Sequence, residues 1–226
     1  NTLFEFELFG TGADAGQTTF RLRHAYGEIG KFGAGQTWSP FMDVEMFPKV
    51  VEKYGPPGMI IYRNLQIRYM PIQGETRLTI ALERPDASSD QGIYAERIEL
   101  DNVEPQFYFP NLTAEYRYAG DFGHVEIAGL LGRIGWNDLI EDSLSFDGST
   151  MTWGVNLSSI IQFGKKDALK LSGVYGEGIA NYFNDSPVDV APQSNNDDPN
   201  RPLKGIALPV YGIVAYLDHY WSKSFS

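Results

Sequence analysis

Thr19-Phe20-Arg21-Leu22-Arg23-His24-Ala25-Tyr26 puts Phe20, Leu22, His24 and Tyr26 on one parity, with Arg21 and Arg23 between them. A period of two is the mark of a β-strand with two unlike faces. In a soluble sandwich the apolar face meets a core and the polar face meets water. Here the same division recurs in segment after segment, and the polar face carries Arg and Glu together. The links between segments alternate between short and long. Together these features predict an all-β fold, an antiparallel transmembrane β-barrel with a wet, charged interior.

Working outward, Leu3 to Phe9 sets Phe4, Phe6 and Leu8 against Glu5 and Glu7. Gly30-Lys31 turns the chain into Phe32 to Ser39, and the long link Pro40 to Gly58 leads to a strand over Ile60 to Tyr69. A turn near Pro71 to Glu75 precedes Thr76 to Arg84, and an acidic link follows from Pro85 to Pro105. Leu112 to Tyr118, Val125 to Leu131, Trp153 to Ile161 and Leu169 to Tyr175 continue the alternation. The link Asn137 to Ser149 is long, whereas the turns at Gly120 to Gly123 and Gly164 to Asp167 are short. After the polar link Asn181 to Lys204, Val210 to Trp221 reads as a last strand, with a turn at Ser222 to Ser224. About ten strands result, with turn-forming residues at every short link.

The 226 residues include no Cys, and the formal net charge is −11. Without Cys there are no disulfides or thiolate metal sites, a pattern compatible with export through an oxidising compartment. The acidic balance argues against a nucleic-acid partner. No apolar run reaches the roughly 20 residues of a membrane helix, which leaves a barrel untouched. Aromatic residues make up 14% of the chain, and Tyr and Phe dominate them, as suits an interface between lipid and water. Asn1 begins within a strand pattern, so residues 1–226 read as a single barrel domain incomplete at both ends.

The link 40–58 differs from the others. Phe41, Met42, Val44, Met46 and Phe47 alternate with Asp43 and Glu45, and Lys49, Glu52 and Lys53 follow. Such a link can fold against the inner wall and narrow a pore, or pack outside against a neighbour. Basic residues gather on the flanking strands: Arg21, Arg23, Arg63 and Arg68. Arg68 shares the parity of Asn64 and Gln66 and is expected inside. Arg63 shares the parity of Leu65 and is expected outside unless a bulge intervenes. Arg117 and Lys170 also fall on inner faces. A basic wall favours anions, and guanidinium groups suit carboxylates. The plainer account pairs these arginines with Glu5, Glu7, Glu28, Glu115 and Glu126.

No catalytic residues, cofactor or metal site are expected. His24, His124 and His219 lie on separate strands, with His24 and His219 assigned to an interfacial belt or a subunit contact, and no metal-ligand spacing is present. Gly33-Ala34-Gly35 lies inside a strand and is no nucleotide loop. The sequons at Asn111 and Asn156 also lie in strands. Asp185, Asp189, Asp197 and Asp198 could bind calcium, although a solvated outer loop explains them more simply.

The run Arg21 to Glu28, then Phe32-Gly33-Ala34-Gly35-Gln36-Thr37-Trp38-Ser39 with Phe41-Met42-Asp43, resembles the DcaP-type outer-membrane porins. Arg63-Asn64-Leu65-Gln66-Ile67-Arg68-Tyr69 is similar to the strand after that family's constriction loop. The resemblance implies a sixteen-stranded barrel, a homotrimer, and passage of small anions such as dicarboxylates. It also implies that Arg21, Arg23 and Arg68 form the basic wall, and that Asp43, Glu45 and Lys49 belong to the constriction loop. The expected function is a passive channel for small anionic solutes in a Gram-negative outer membrane, surrounded by lipid and lipopolysaccharide. Two alternatives remain: a lipase-like barrel enzyme, and a soluble β-rich carbohydrate-binding or adhesion module.

Overall fold

The computed structural model describes residues 1–49, 58–140, 143–163, 166–183, 186 and 188–221. Strands run over β1 (Thr2–Leu8), β2 (Phe20–Ile29), β3 (Phe32–Trp38), β4 (Arg63–Ile72), β5 (Arg77–Glu83), β6 (Val103–Gln106) and β7 (Asn111–Gly120). They continue as β8 (Gly123–Asp138), β9 (Gly148–Phe163), β10 (Asp167–Glu177), β11 (Val190–Ser194), β12 (Leu203–Ala207) and β13 (Pro209–Asp218). One antiparallel sheet takes the order β1-β2-β3-β4-β5-β7-β8-β9-β10-β13, with β6 paired to β8 and β11-β12 as a separate hairpin. Strands that follow one another thus lie side by side, so successive links fall at opposite ends of the sheet. All the long links share one end. Among the described residues β1 and β13 are the sheet's edges, and no ladder joins them.

The two faces are inverted relative to a soluble protein. Leu65, Ile67, Leu82, Tyr116, Ile127, Val155, Leu157 and Leu171 are exposed, while Asn64, Gln66, Glu115, Arg117, His124, Glu126, Asn156 and Lys170 are buried. A broad apolar surface of this kind needs an apolar solvent. Many of the buried polar side chains bond one another across the strands, as a sheet facing lipid on one side requires, while Glu126 Oε1 finds no partner among the described residues.

The founding stretch departs from simple alternation. Glu5 pairs with His24 and Phe6 with Leu22, so Arg23 has no partner and forms a β-bulge. The extra residue shifts the parity of all that follows. Phe20 and Leu22 face outward with Phe6 and Leu8, but His24 and Tyr26 turn inward. The expectation that His24 sits in an outer belt is therefore wrong: it is buried, with Nδ1 3.0 Å from Thr37 Oγ1. Gln36 Nε2 donates to the Leu22 and Arg23 carbonyls, 3.3 Å each, and satisfies backbone that the bulge exposes.

Other boundaries move as well. β4 continues through Pro71, where a turn was expected, with an irregularity in its pairing between Tyr69 and Ile72. Proline is tolerated there because it withdraws no needed donor. β8 and β9 extend into the expected link between them, and β6, β11 and β12 lie in links expected to be loops. The inferred turn at Ser222 to Ser224 falls outside the described residues.

The apolar core lies on the polar face of the sheet, beneath the link that follows β3. Phe41, Met42 and Ile60 pack with Ala128, Leu130, Val174, Ile179, Tyr182 and Phe183. Met46 and Met59 pack with Ile160 and Val214. Gly154 lets the link approach, since a Cβ there would stand 2.9 Å from the Phe41 ring. A second tie joins long links to each other. Asp189 is fully buried and accepts from Ser88 N at 2.8 Å and Asn181 N at 3.0 Å. It joins the link after β5 to the link after β10.

Candidate functional site

The segment Pro40–Phe47 reaches four strands of the polar face. Asp43 caps the 3-10 turn Val44–Met46 by accepting from Glu45 N at 3.1 Å. Its other oxygen, Oδ2, lies 2.8 Å from His124 Nε2 on β8 and accepts from Ser158 Oγ on β9 at 2.6 Å. Asn156 Nδ2 donates to the Phe41 carbonyl at 3.0 Å. Lys170 Nζ on β10 donates to the Glu45 and Phe47 carbonyls at 2.9 and 2.7 Å. Arg117 on β7 pairs with Glu45 at 2.5 Å.

Burial acts to raise the Asp43 carboxyl, but the hydrogen bonds to His124 and Ser158 outweigh it and hold the group below its ordinary range. The Arg117 bond likewise holds Glu45 low against the opposing effect of burial. Both groups are charged at neutral pH, and their bonds are the stronger for it.

A second, basic cluster lies on β2 and β4. Arg21 pairs with Glu7 at 3.2 Å, and Arg23 pairs with the same carboxylate. The Arg21, Arg23 and Arg63 charges all act on Glu7. Arg63 lies over the Trp38 ring, 4.7 Å from its centroid. Arg68 donates to the Trp38 carbonyl at 2.6 Å and to Gln66 Oε1, and lies over the Tyr26 ring at 5.0 Å. Among the described residues no carboxylate pairs with it. Its neighbours orient the guanidinium, and its charge acts on the buried carboxyl of Glu83 on β5.

The expected residues therefore divide. Arg21, Arg23, Arg63 and Arg68 gather on β2 and β4, whereas Arg117 stands on β7 and holds the link. Asp43 is only 3% exposed and acts as an anchor, while the Glu45 side chain is half exposed. Lys49 is exposed, and Lys53 lies outside the described residues. Sequence reasoning passed over Arg77, which pairs with Glu115 at 2.8 Å and Glu126 at 3.0 Å. It also left His124 unassigned. Its partner Asp43 lies 81 residues away, so no spacing could announce the pair.

Asp43, His124 and Ser158 are the residue types of a hydrolytic triad, but their bonding differs. Ser158 Oγ donates to Asp43 and has no imidazole as its base, so the group clamps a loop instead of activating a hydroxyl. Asp43, His124 and Glu126 also place one ligand atom each within 4.8 Å of one another.

The polar face, apolar outside and anchored link agree with two comparisons. The sequence model of one family, described as the DcaP outer membrane protein, matches residues 2–186. The chain belongs to the DcaP outer membrane protein family. Membership places its apolar face in the outer membrane, as expected from the sequence. Among solved structures, the DcaP outer membrane channel of Acinetobacter baumannii superposes with a TM-score of 0.65 at 20% identity. The match covers 87% of this chain and 51% of that one, so the chain spans about half the length of that channel. No curated protein matches. The element shared with that channel is an antiparallel sheet.

Proposed function

We propose that this chain forms the wall and inward loop of a passive outer-membrane channel for small hydrophilic anions, dicarboxylates among them. Arg68 carries the reading, since among the described residues no carboxylate lies within ion-pair distance of it. It stands on the polar face with Arg21 and Arg23, which share the single carboxylate of Glu7. A passing carboxylate exchanges part of its hydration for guanidinium contacts. Gln66, the Trp38 carbonyl and the Tyr26 ring hold its planar group in place. The segment Pro40–Phe47 narrows the lumen from the other side, with Glu45 at its exposed edge and Lys49 beyond. No cofactor, energy source or covalent step enters. In this proposal further strands complete a barrel of about sixteen within a homotrimer, set in lipid and lipopolysaccharide.

The test is ion selectivity of the full-length protein in a planar bilayer under a salt gradient. The wild-type channel is expected to prefer anions, and Arg23→Glu combined with Arg68→Glu to reverse the sign of the reversal potential. An unchanged reversal potential removes the basic wall from the mechanism.

A further inference from the structure

Beneath the anchored link, the structure gathers more acid than base. Asp43, Glu45, Glu115 and Glu126 surround the contact, and Arg77 and Arg117 answer them through the pairs described above. Four carboxylates against two guanidinium groups leave two negative charges when His124 is neutral. Lys170 does not close the gap, because its ammonium also faces Asp218 at 3.5 Å. Glu45 is half exposed, but Asp43, Glu115 and Glu126 are buried, where excess negative charge is costly.

Glu126 gives the second observation. Its side chain is 2% exposed, and while Oε2 meets Arg77, Oε1 is buried without any hydrogen-bond partner among the described residues. Buried carboxylate oxygens are ordinarily satisfied. This carboxylate belongs to the set with Asp43 and His124 whose ligand atoms lie within 4.8 Å of one another.

We propose that Asp43, His124 and Glu126 bind a divalent cation of the zinc class, which clips the inward link to β8. One imidazole nitrogen and two carboxylates form a donor set suited to zinc, and calcium and magnesium, which take oxygen ligands only, fit it less well. The ion's positive charge offsets the acidic excess. Ligand atoms around a tetrahedral zinc stand about 3.3 Å apart. The Asp43 Oδ2 to His124 Nε2 separation is 2.8 Å, so the pair opens by about half an ångström to admit it. Arg77 keeps its bond to Glu126 Oε2 and orients the ligand, in the manner of the outer partners of metal sites. Two ligands come from one strand and the third from the link, so the cation acts as a bridge between them.

The proposal concerns binding and does not depend on ion selectivity. Full-length protein in detergent, stripped with a chelator and checked for strand content by circular dichroism, is titrated with zinc chloride by calorimetry. The expected result is one zinc per chain, with affinity reduced tenfold or more in Glu126→Gln and His124→Gln. His219→Ala is the control, because the exposed His219 and the half-buried Asp167, 3.0 Å apart, offer an alternative site. Binding that survives both inner substitutions, or is lost in His219→Ala, overturns the assignment. Absence of zinc uptake by the folded wild-type protein overturns it outright.

Discussion

At the scale of single residues, Asp43 decides how the inward link is held. One carboxylate receives a backbone N–H, a serine hydroxyl and an imidazole. Removing one member of a buried charged contact strands the others. Asp43→Ala is therefore expected to cost about 3 kcal/mol, read from denaturant unfolding in detergent, and to raise current noise in single channels. The sign of the pH dependence follows from the depressed carboxyl. A group whose folded value lies below its ordinary 3.8 stabilises the fold above that value, and loses the contribution as pH falls through the folded one. Docking should be constant from neutral pH to about 5 and fail only below about 4. Trp38 meets the Phe47 ring edge-on, with centroids 5.9 Å apart, so tryptophan emission followed across an acid titration checks this. None of these contacts was legible in the sequence. The amphipathic run from Phe41 to Phe47 pointed to docking against a wall, but Asp43 and Ser158 are 115 positions apart and nothing local marks them as partners.

Elements were read better than their irregularities. Alternation located the strands because lipid and lumen impose opposite demands on successive side chains. It failed at Arg23, where one extra residue leaves no trace in composition yet moves His24 and Tyr26 to the other face. Links rich in Asn, Asp and Pro concealed β11 and β12 for a different reason: a short hairpin packed over other loops need not alternate, and Pro192 lies inside one of its strands. The neighbourhood of the bulge also constrains β3. Gly35 has φ +123°, and a Cβ there would lie 2.1 Å from the Ala25 carbonyl oxygen. Gly35→Ala should cost about 2 kcal/mol by shifting the β2–β3 ladder, measurable as a lower unfolding midpoint at unchanged m-value.

For the whole molecule, the inverted faces are the governing fact. Ile127 on β8 pairs with Tyr116 near the middle of the β7–β8 ladder and is 52% exposed. An arginine there would meet hydrocarbon, so Ile127→Arg is expected to cost about 2–4 kcal/mol when folding is measured in lipid bilayers. The distribution of links follows from the same architecture. Consecutive antiparallel strands send every second link to one end, and in outer-membrane proteins the long ones face outward.

The buried Asp189 gives that outward end a definite shape. By tying residues 88 and 181 together, it makes one continuous surface from segments almost a hundred positions apart in the chain. An antibody or phage that recognises this surface on intact cells reads a composite epitope. A peptide copied from either segment alone presents half of it, in a shape the cell never displays.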